Sequence, residues 1–264
     1  MTHIRVDDRG PVRVITIDRP DRFNSMDVET AREFRRAGLQ AARDTAIRAV
    51  VLRGVPKAFC SGADLKFIRQ REPAYGEAFK EILEYLHSAI SEIRRAPKPF
   101  IAAVEGVAAA GGFGIAMACD LVFASTAASF EWAYGRTALT GAESSTFLLP
   151  RIIGLRRSMA LALLTPRLSA HQALEWGLIT AVCNPGELDD QVFAIAQQLA
   201  AGPTHAYAVA KELLNEAAGL DRLDLHLDRE LQELTRAADG DEVAEGLRAF
   251  VEKRPARFAV VVER

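Results

Sequence analysis

Ala-Val-Glu-Gly-Val-Ala-Ala-Ala-Gly-Gly-Phe-Gly-Ile-Ala-Met-Ala-Cys-Asp, residues Ala103–Asp120, decides the reading of the fold. An apolar run breaks at the adjacent glycines Gly111 and Gly112 and continues with helical composition. Paired glycines permit positive φ and let a ligand approach the main chain closely. The helix that follows aims unpaired N–H groups and its positive end at that point. Upstream, Ala58–Asp64 (Ala-Phe-Cys-Ser-Gly-Ala-Asp) repeats the pattern, with Ser61 or Asp64 available to cap the next helix. Each break also reads as an ordinary tight strand-to-helix turn. Two such N–H groups converging on one carbonyl oxygen would meet the requirement for stabilising an enolate or a tetrahedral oxyanion.

Outward from these stretches, strands and helices alternate. Val12–Asp18, Ala49–Leu52, Phe100–Val104 and Leu121–Ala124 read as β-branched or apolar strands. Asp27 caps a helix running to Arg43, and Phe79, Ile82, Leu83, Leu86, Ile90 and Ile93 set the apolar face of a helix over Ala78–Arg94. Gly112–Ala118 is a further helix. Strand, helix, strand in this order implies parallel pairing with right-handed crossovers. Short helices follow at Ser144–Ile153, Arg156–Leu164 and Ala170–Trp176, then a last strand at Thr180–Cys183. Helices at Glu187–Ala201, Thr204–Ala218, Asp221–Ala238 and Asp241–Lys253 complete the chain. The expected organisation is an α/β core over residues 1–200 and a helical region over 201–264.

A net charge of −2 gives no support to a nucleic-acid partner. Cys60, Cys119 and Cys183 are odd in number and widely spaced, which argues against a disulfide framework or a zinc site and fits a reducing cytoplasm. No apolar signal segment opens the sequence, and no run reaches the length of a membrane span. Gly112-Phe113-Gly114 lies between a strand and a helix, but position 117 is Met where a dinucleotide fingerprint needs glycine.

Together the two glycine stretches closely resemble the crotonase superfamily of enoyl-CoA hydratases and isomerases. Asp18-Arg19-Pro20-Asp21-Arg22-Phe23-Asn24-Ser25-Met26, Leu149-Pro150-Arg151-Ile152-Ile153-Gly154, Leu168-Ser169-Ala170, Glu175-Trp176-Gly177-Leu178 and Phe250-Val251-Glu252-Lys253-Arg254 are similar to family segments in the same order. The resemblance covers nearly the whole chain. It implies a spiral of ββα units with a C-terminal helical region, assembled as trimers or hexamers. It assigns the oxyanion donors to the backbone N–H groups of Ala63 and Gly111, around the thioester carbonyl of an acyl-CoA. Each preorganised donor is worth about 2.7–4 kcal/mol toward the developing charge. No metal or redox cofactor is implied.

Hydratases of this family use two glutamates around a water. Their positions fall here on Gly114 and Tyr134, so ordinary hydration is expected to be poor. Isomerases use one carboxylate in the loop that here reads Ala138-Leu139-Thr140-Gly141-Ala142-Glu143-Ser144-Ser145, opposite Gly141 or Ala142. Glu143 is the sole carboxylate in that loop and the nominated base. Thr140-x-x-Glu143 also fits a capping box for the next helix. Glu131 is a second candidate for the base, with a solvated or ion-paired role as the favoured reading. Tyr134 either orients the acid and donates a proton or fills the core.

At the CoA end, the resemblance places Arg22 and Phe23 beside the pantetheine channel and Lys66 near the adenine or 3′-phosphate. Phe250 and Lys253 would reach the CoA of a neighbouring subunit. The acyl tail is expected in the region from Phe67 to Phe79 and near Trp132 and Phe147. The favoured chemistry is a double-bond shift. A lyase, decarboxylase or thioester hydrolase on the same frame, and a non-catalytic acyl-CoA-binding protein, are the alternatives.

Overall fold

A computed structural model describes residues 2–55 and 57–258. The end of the expected helical region, 259–264, lies outside the described residues. The chain advances in units of a long strand, a short strand and a helix. β1 (Ile4–Arg9) and β2 (Val12–Ile17) form an antiparallel hairpin turned at Gly10, and α1 (Val28–Arg43) follows. β3 (Ala49–Gly54), β4 (Ala58–Cys60), α2 (Leu65–Arg69) and α3 (Tyr75–Arg95) make the next unit. β5 (Phe100–Val104), β6 (Val107–Ala109) and α4 (Gly111–Ala118) repeat it. β7 (Leu121–Ser125) and β8 (Ser129–Glu131) lead through a 3₁₀ turn at Tyr134–Thr137 into α5 (Ser145–Ile152) and α6 (Gly154–Leu164). β9 (Arg167–Ser169), α7 (Ala170–Glu175), β10 (Ala181–Cys183) and α8 (Leu188–Ala201) close the core. α9 (Thr204–Ala217), α10 (Leu223–Ala238) and α11 (Asp241–Glu252) form the C-terminal helices.

The long strands build one sheet in the order β1-β2-β3-β5-β7-β10, parallel from β2 onward. The short strands build a second in the order β4-β6-β8-β9, with β9 antiparallel. The units that begin at β3, β5 and β7 each add one strand to each sheet, whereas β1 and β2 both join the first, and the chain spirals along their common axis. Alternation along the strands fixes the two faces of the first sheet. Ile15, Val50, Leu52, Ala102 and Val104 face α1, α3 and the second sheet, while Val14, Ala49, Val51, Ile101 and Phe123 face α8.

Five strands of the structure were not anticipated. β1 is Arg- and Asp-rich, with one buried residue, and exists because β2 offers it an edge. β4, β6, β8 and β9 have three residues each, too few for a period-2 signal. The helix expected from Ala78 starts at Tyr75, where Asp239, the C-cap residue of a later helix packed against it, accepts the Gly76 N–H at 2.8 Å.

The loop after β2 is fastened to β4 by Asn24, which is fully buried with φ +56°. Its amide nitrogen donates to the carbonyls of Val55 (3.0 Å) and Ala58 (2.6 Å), and its oxygen accepts the Arg19 N–H at 2.8 Å. Asparagine tolerates this left-handed geometry better than most residues. Asn24→Ala would strand three main-chain groups, one buried and two half-buried, and is expected to lower unfolding free energy by about 2–3 kcal/mol, measured by denaturant titration.

Candidate active site

The two glycine stretches meet across the second sheet. β4 and β6 are neighbours, so Gly62 and Gly111 emerge side by side at their ends. A methyl group on Gly62 (φ +93°) would lie 2.9 Å from Ala110 Cβ and 3.1 Å from the Gly111 nitrogen. One on Gly112 would lie 2.0 Å from the Cys60 carbonyl oxygen. The glycines are therefore required by packing between the two turns. Ala110, with φ +46° and ψ −118°, turns the chain sharply into α4.

Neither the Ala63 nor the Gly111 N–H has an acceptor among the described residues. Ala63 sits opposite Met26 in a bridge where Met26 N donates to Gly62 O and Asp64 N to Met26 O, both at 2.8 Å. That pattern leaves the Ala63 N–H directed away from the bridge. Gly111 is the first residue of α4, where the N–H has no intrahelical partner. Two free amides in adjacent turns, one of them at a helix start, can hold an oxyanion.

Glu143 lies over this spot. A methyl group on Gly111 would be 2.7 Å from Glu143 Oε1, so that oxygen is at most about 6 Å from the Gly111 nitrogen, two covalent bonds from the same point. Its other oxygen accepts a short hydrogen bond from the Tyr134 hydroxyl, which also lies 3.1 Å from the Ala142 carbonyl. Glu143 and Tyr134 are both buried. Burial pushes the Glu143 carboxyl up to about 8; the Tyr134 hydrogen bond opposes the rise and the Glu230 charge adds to it. Burial, and then the Glu143 charge, hold the Tyr134 hydroxyl well above the usual phenol range, so it stays a donor.

The capping reading of Glu143 is not realised. α5 begins at Ser145, and the Glu143 side chain reaches Tyr134. Glu230 of α10 takes the capping role, accepting Ser144 N–H (2.8 Å), Thr146 N–H (3.0 Å) and the Thr146 hydroxyl (2.5 Å). An acid at 141 would have no room: a Gly141 Cβ would sit 2.6 Å from the Trp132 ring and 2.4 Å from Thr146 Cγ2. Position 114 is closed as well, since a Cβ there would lie 2.3 Å from the Glu143 carbonyl oxygen and 2.7 Å from Glu143 Cβ. Gly114 and Gly141 together make the space in which the Glu143 loop folds. Glu131, the second carboxylate, is ion-paired with Arg136 at 2.9 Å and with Arg167.

Among the residues expected at the CoA end, Arg22, Phe23 and Lys66 fall around one donor. Ser61 N donates to Phe23 O at 3.2 Å, and Lys66 lies in the first turn of α2, which Asp64 caps through Lys66 N and Phe67 N. Arg22 and Lys66 are exposed, and Phe23 is 57 % exposed. Phe250 and Lys253 are exposed at the end of α11, which packs against α2 and the 3₁₀ turn of its own chain. Phe147 stacks under Arg151 at 3.6 Å and beside His226 on the α10 side. Trp132 stays near Tyr134, at 4.9 Å between ring centroids, and donates its indole N–H to Ser145 Oγ at 3.2 Å.

Residues 7–260 match the sequence profile of the family described as Enoyl-CoA hydratase/isomerase. The chain belongs to that family. It is 34 % identical to 1,2-epoxyphenylacetyl-CoA isomerase of Escherichia coli, over 94 % of both chains. It is 31 % identical to 4-chlorobenzoyl coenzyme A dehalogenase-2 of an Arthrobacter species, over 99 % of this chain and 95 % of that one. The crystal structure of an enoyl-CoA hydratase from Mycobacterium avium subsp. paratuberculosis superposes with a TM-score of 0.89 at 32 % identity, covering 98 % and 99 % of the two chains. This enoyl-CoA hydratase/isomerase family enzyme thus has the crotonase fold, with its spiral of ββα units and C-terminal helices.

Two residues beside Glu143 were missed from sequence. His87 and Glu230 lie on the apolar faces of α3 and α10, where a polar residue among leucines and isoleucines is the one available signal. Among the described residues no group of three or more His, Cys, Asp or Glu side chains is arranged to hold a metal, and no helix is long and apolar enough to cross a membrane.

Gly114→Ala places a methyl group inside the Glu143 main chain. It is expected to lower unfolding free energy by about 2–3 kcal/mol, the range of an overpacked core, as read by denaturant titration.

Proposed function

We propose that this protein is an acyl-CoA enzyme that moves a double bond of an enoyl thioester from the β,γ to the α,β position. One observation carries the reading: the buried carboxyl of Glu143 lies over the turn that offers the Gly111 N–H. Ionised Glu143 removes a proton from the α-carbon, and the electron pair flows into the thioester to give a dienolate. The N–H groups of Ala63 and Gly111 hold the oxygen as charge develops there. The same carboxyl returns the proton to the γ-carbon, and the double bond forms between α and β. Atoms and charge balance with no metal, redox partner or water. A base near neutrality is best matched to such a shuttle, and the buried Glu143 is held in that range.

Hydration is disfavoured on the same grounds. A second carboxylate would have to activate water, but position 114 is occupied by the Glu143 main chain and Glu131 is committed to two arginines. Tyr134 orients Glu143 and stabilises its ionised form. Arg22, Phe23 and Lys66 bind the CoA near the Ala63 donor; Phe250 and Lys253 add to this from α11 of the same or a neighbouring subunit.

Self-association as a trimer or hexamer, with residues 201–264 as the trimerisation region, is part of the proposal. α9 buries none of its residues, and Leu213 and Leu214 on it, with Leu163 and Leu164 on α6, are more than half exposed. Exposed apolar residues of this kind support a covered face. Three free, buried cysteines suit a reducing cytoplasm.

Solvent-deuterium exchange at the α-carbon of a saturated or enoyl thioester reads proton removal directly. Glu143→Gln should slow exchange and isomerisation at least about a hundredfold while acyl-CoA still binds; undiminished turnover would remove Glu143 from the mechanism. Because the ionised form is the base and its pKa is raised, exchange should increase with pH up to a midpoint near 8. A rate already flat from pH 5 to 9 contradicts this.

A further inference from the structure

Glu143 and Ser144 are consecutive non-glycine residues in the left-handed region, at φ +49° and +61°. Local sequence does not hold them there. The Glu143 side chain is engaged by Tyr134, and the buried Ser144 hydroxyl has no hydrogen-bond partner among the described residues. The grip comes from two helices distant in sequence. On α3, His87 Nε2 accepts the Glu143 N–H at 3.1 Å. On α10, Glu230 accepts the N–H groups of Ser144 and Thr146. His87 is buried, and its Nε2 lies 3.9 Å from Glu230 Oε2, beyond a hydrogen bond. Three of the four amides from 143 to 146 thus end on two buried side chains.

We propose that His87 and Glu230 are positioning residues for Glu143, acting as a pair that fixes the strained Glu143–Ser144 turn and so aims the carboxyl over Gly111. This rests on the reading of Glu143 as the base. An acceptor Nε2 requires an imidazole with no proton on that nitrogen. Burial lowers the His87 pKa to about 4, so the acceptor persists through the working range. Other groups face Glu143 from each packed element: Tyr134 from the 3₁₀ turn, Cys60 from β4, His87 from α3 and Glu230 from α10. Of these, Glu230 supplies the negative charge that raises the Glu143 pKa. Its own carboxyl is raised to about 7 by burial, with the amide and hydroxyl donors opposing. Glu230 therefore acts on Glu143 twice, through the main chain and through the field. Catalytic side chains depend on such supports, since small displacements of a reacting group cost large factors in rate.

The test uses full-length His87→Leu, His87→Gln, Glu230→Gln and Glu143→Gln, with exchange kcat, KM, the pH midpoint of exchange and thermal unfolding measured for each. His87→Leu deletes the acceptor and should lower kcat at least about tenfold with KM little changed. His87→Gln offers an amide oxygen and should recover most of the loss. Glu230→Gln removes the charge, so its pH midpoint should fall below that of the wild type, a shift that a purely structural role would not produce. A folded His87→Leu enzyme with wild-type kcat, or a Glu230→Gln enzyme with reduced stability and an unmoved midpoint, overturns the proposal. Should His87→Leu not fold, the Glu230→Gln midpoint alone decides. Wild-type exchange by Glu143→Gln would instead sink the underlying assignment of the base.

Discussion

The contact between the Gly62 turn and the start of α4 is the constraint from which the rest follows. Two main chains approach so closely that no Cβ fits at Gly62 or Gly112. That closeness sets the Ala63 and Gly111 amides next to each other. Both are withheld from internal hydrogen bonding, one by the pattern of the Met26 bridge and one by its place at a helix start. Backbone groups left unpaired in this way are costly unless something else is meant to accept them. The ββα spiral serves this pair: the short strands β4 and β6 carry the two turns to one edge, and the long-strand sheet with α1, α3 and α8 holds them there.

A second expense is electrostatic. Glu143 and Glu230 are carboxyls buried within one small region, and each is pushed toward its neutral form. Both bind protons more tightly folded than unfolded. Their contribution to stability is therefore complete in acid and is lost as pH rises through about 7 and then about 8. A fold tuned for stability alone would not keep this arrangement. Non-glycine residues with positive φ include Ala110, just before Gly111, Ala133 and Ala138, which flank the Tyr134 turn, and Glu143 and Ser144. Strain in these turns, together with perturbed carboxyls, is what a site prepared for proton transfer requires.

The legible and illegible parts of the sequence divide along physical lines. Long strands such as Phe100–Val104 and helices such as α3 carry a period that burial imposes on many residues at once, and they were readable. Asp27 and Asp64 were readable as caps because an N-cap is a local contact. The three-residue strands were not, since their existence depends on neighbours supplied by distant segments. Glu143 stood out as the lone carboxylate of its loop, but whether it capped α5 or entered the site depended on Glu230, which lies on another helix and removed the need for a local cap. The emptiness of positions 114 and 141 was visible; its purpose, making room for the Glu143 loop, was visible only in three dimensions. The contacts of Phe147 with Arg151 and with His226 of α10 were not legible, because a single aromatic residue does not declare which side of its helix is covered.

The central claim is that the Ala63 and Gly111 amides share one thioester oxygen while Glu143 faces the adjacent carbon. A crystal structure of the protein with a non-reactive acyl-CoA analogue measures this directly. The carbonyl oxygen should lie within about 2.7–3.1 Å of both nitrogens, with the α-carbon turned toward Glu143. An analogue bound in full occupancy with its oxygen directed elsewhere, or with Glu143 on the opposite side of the acyl chain, would contradict the account.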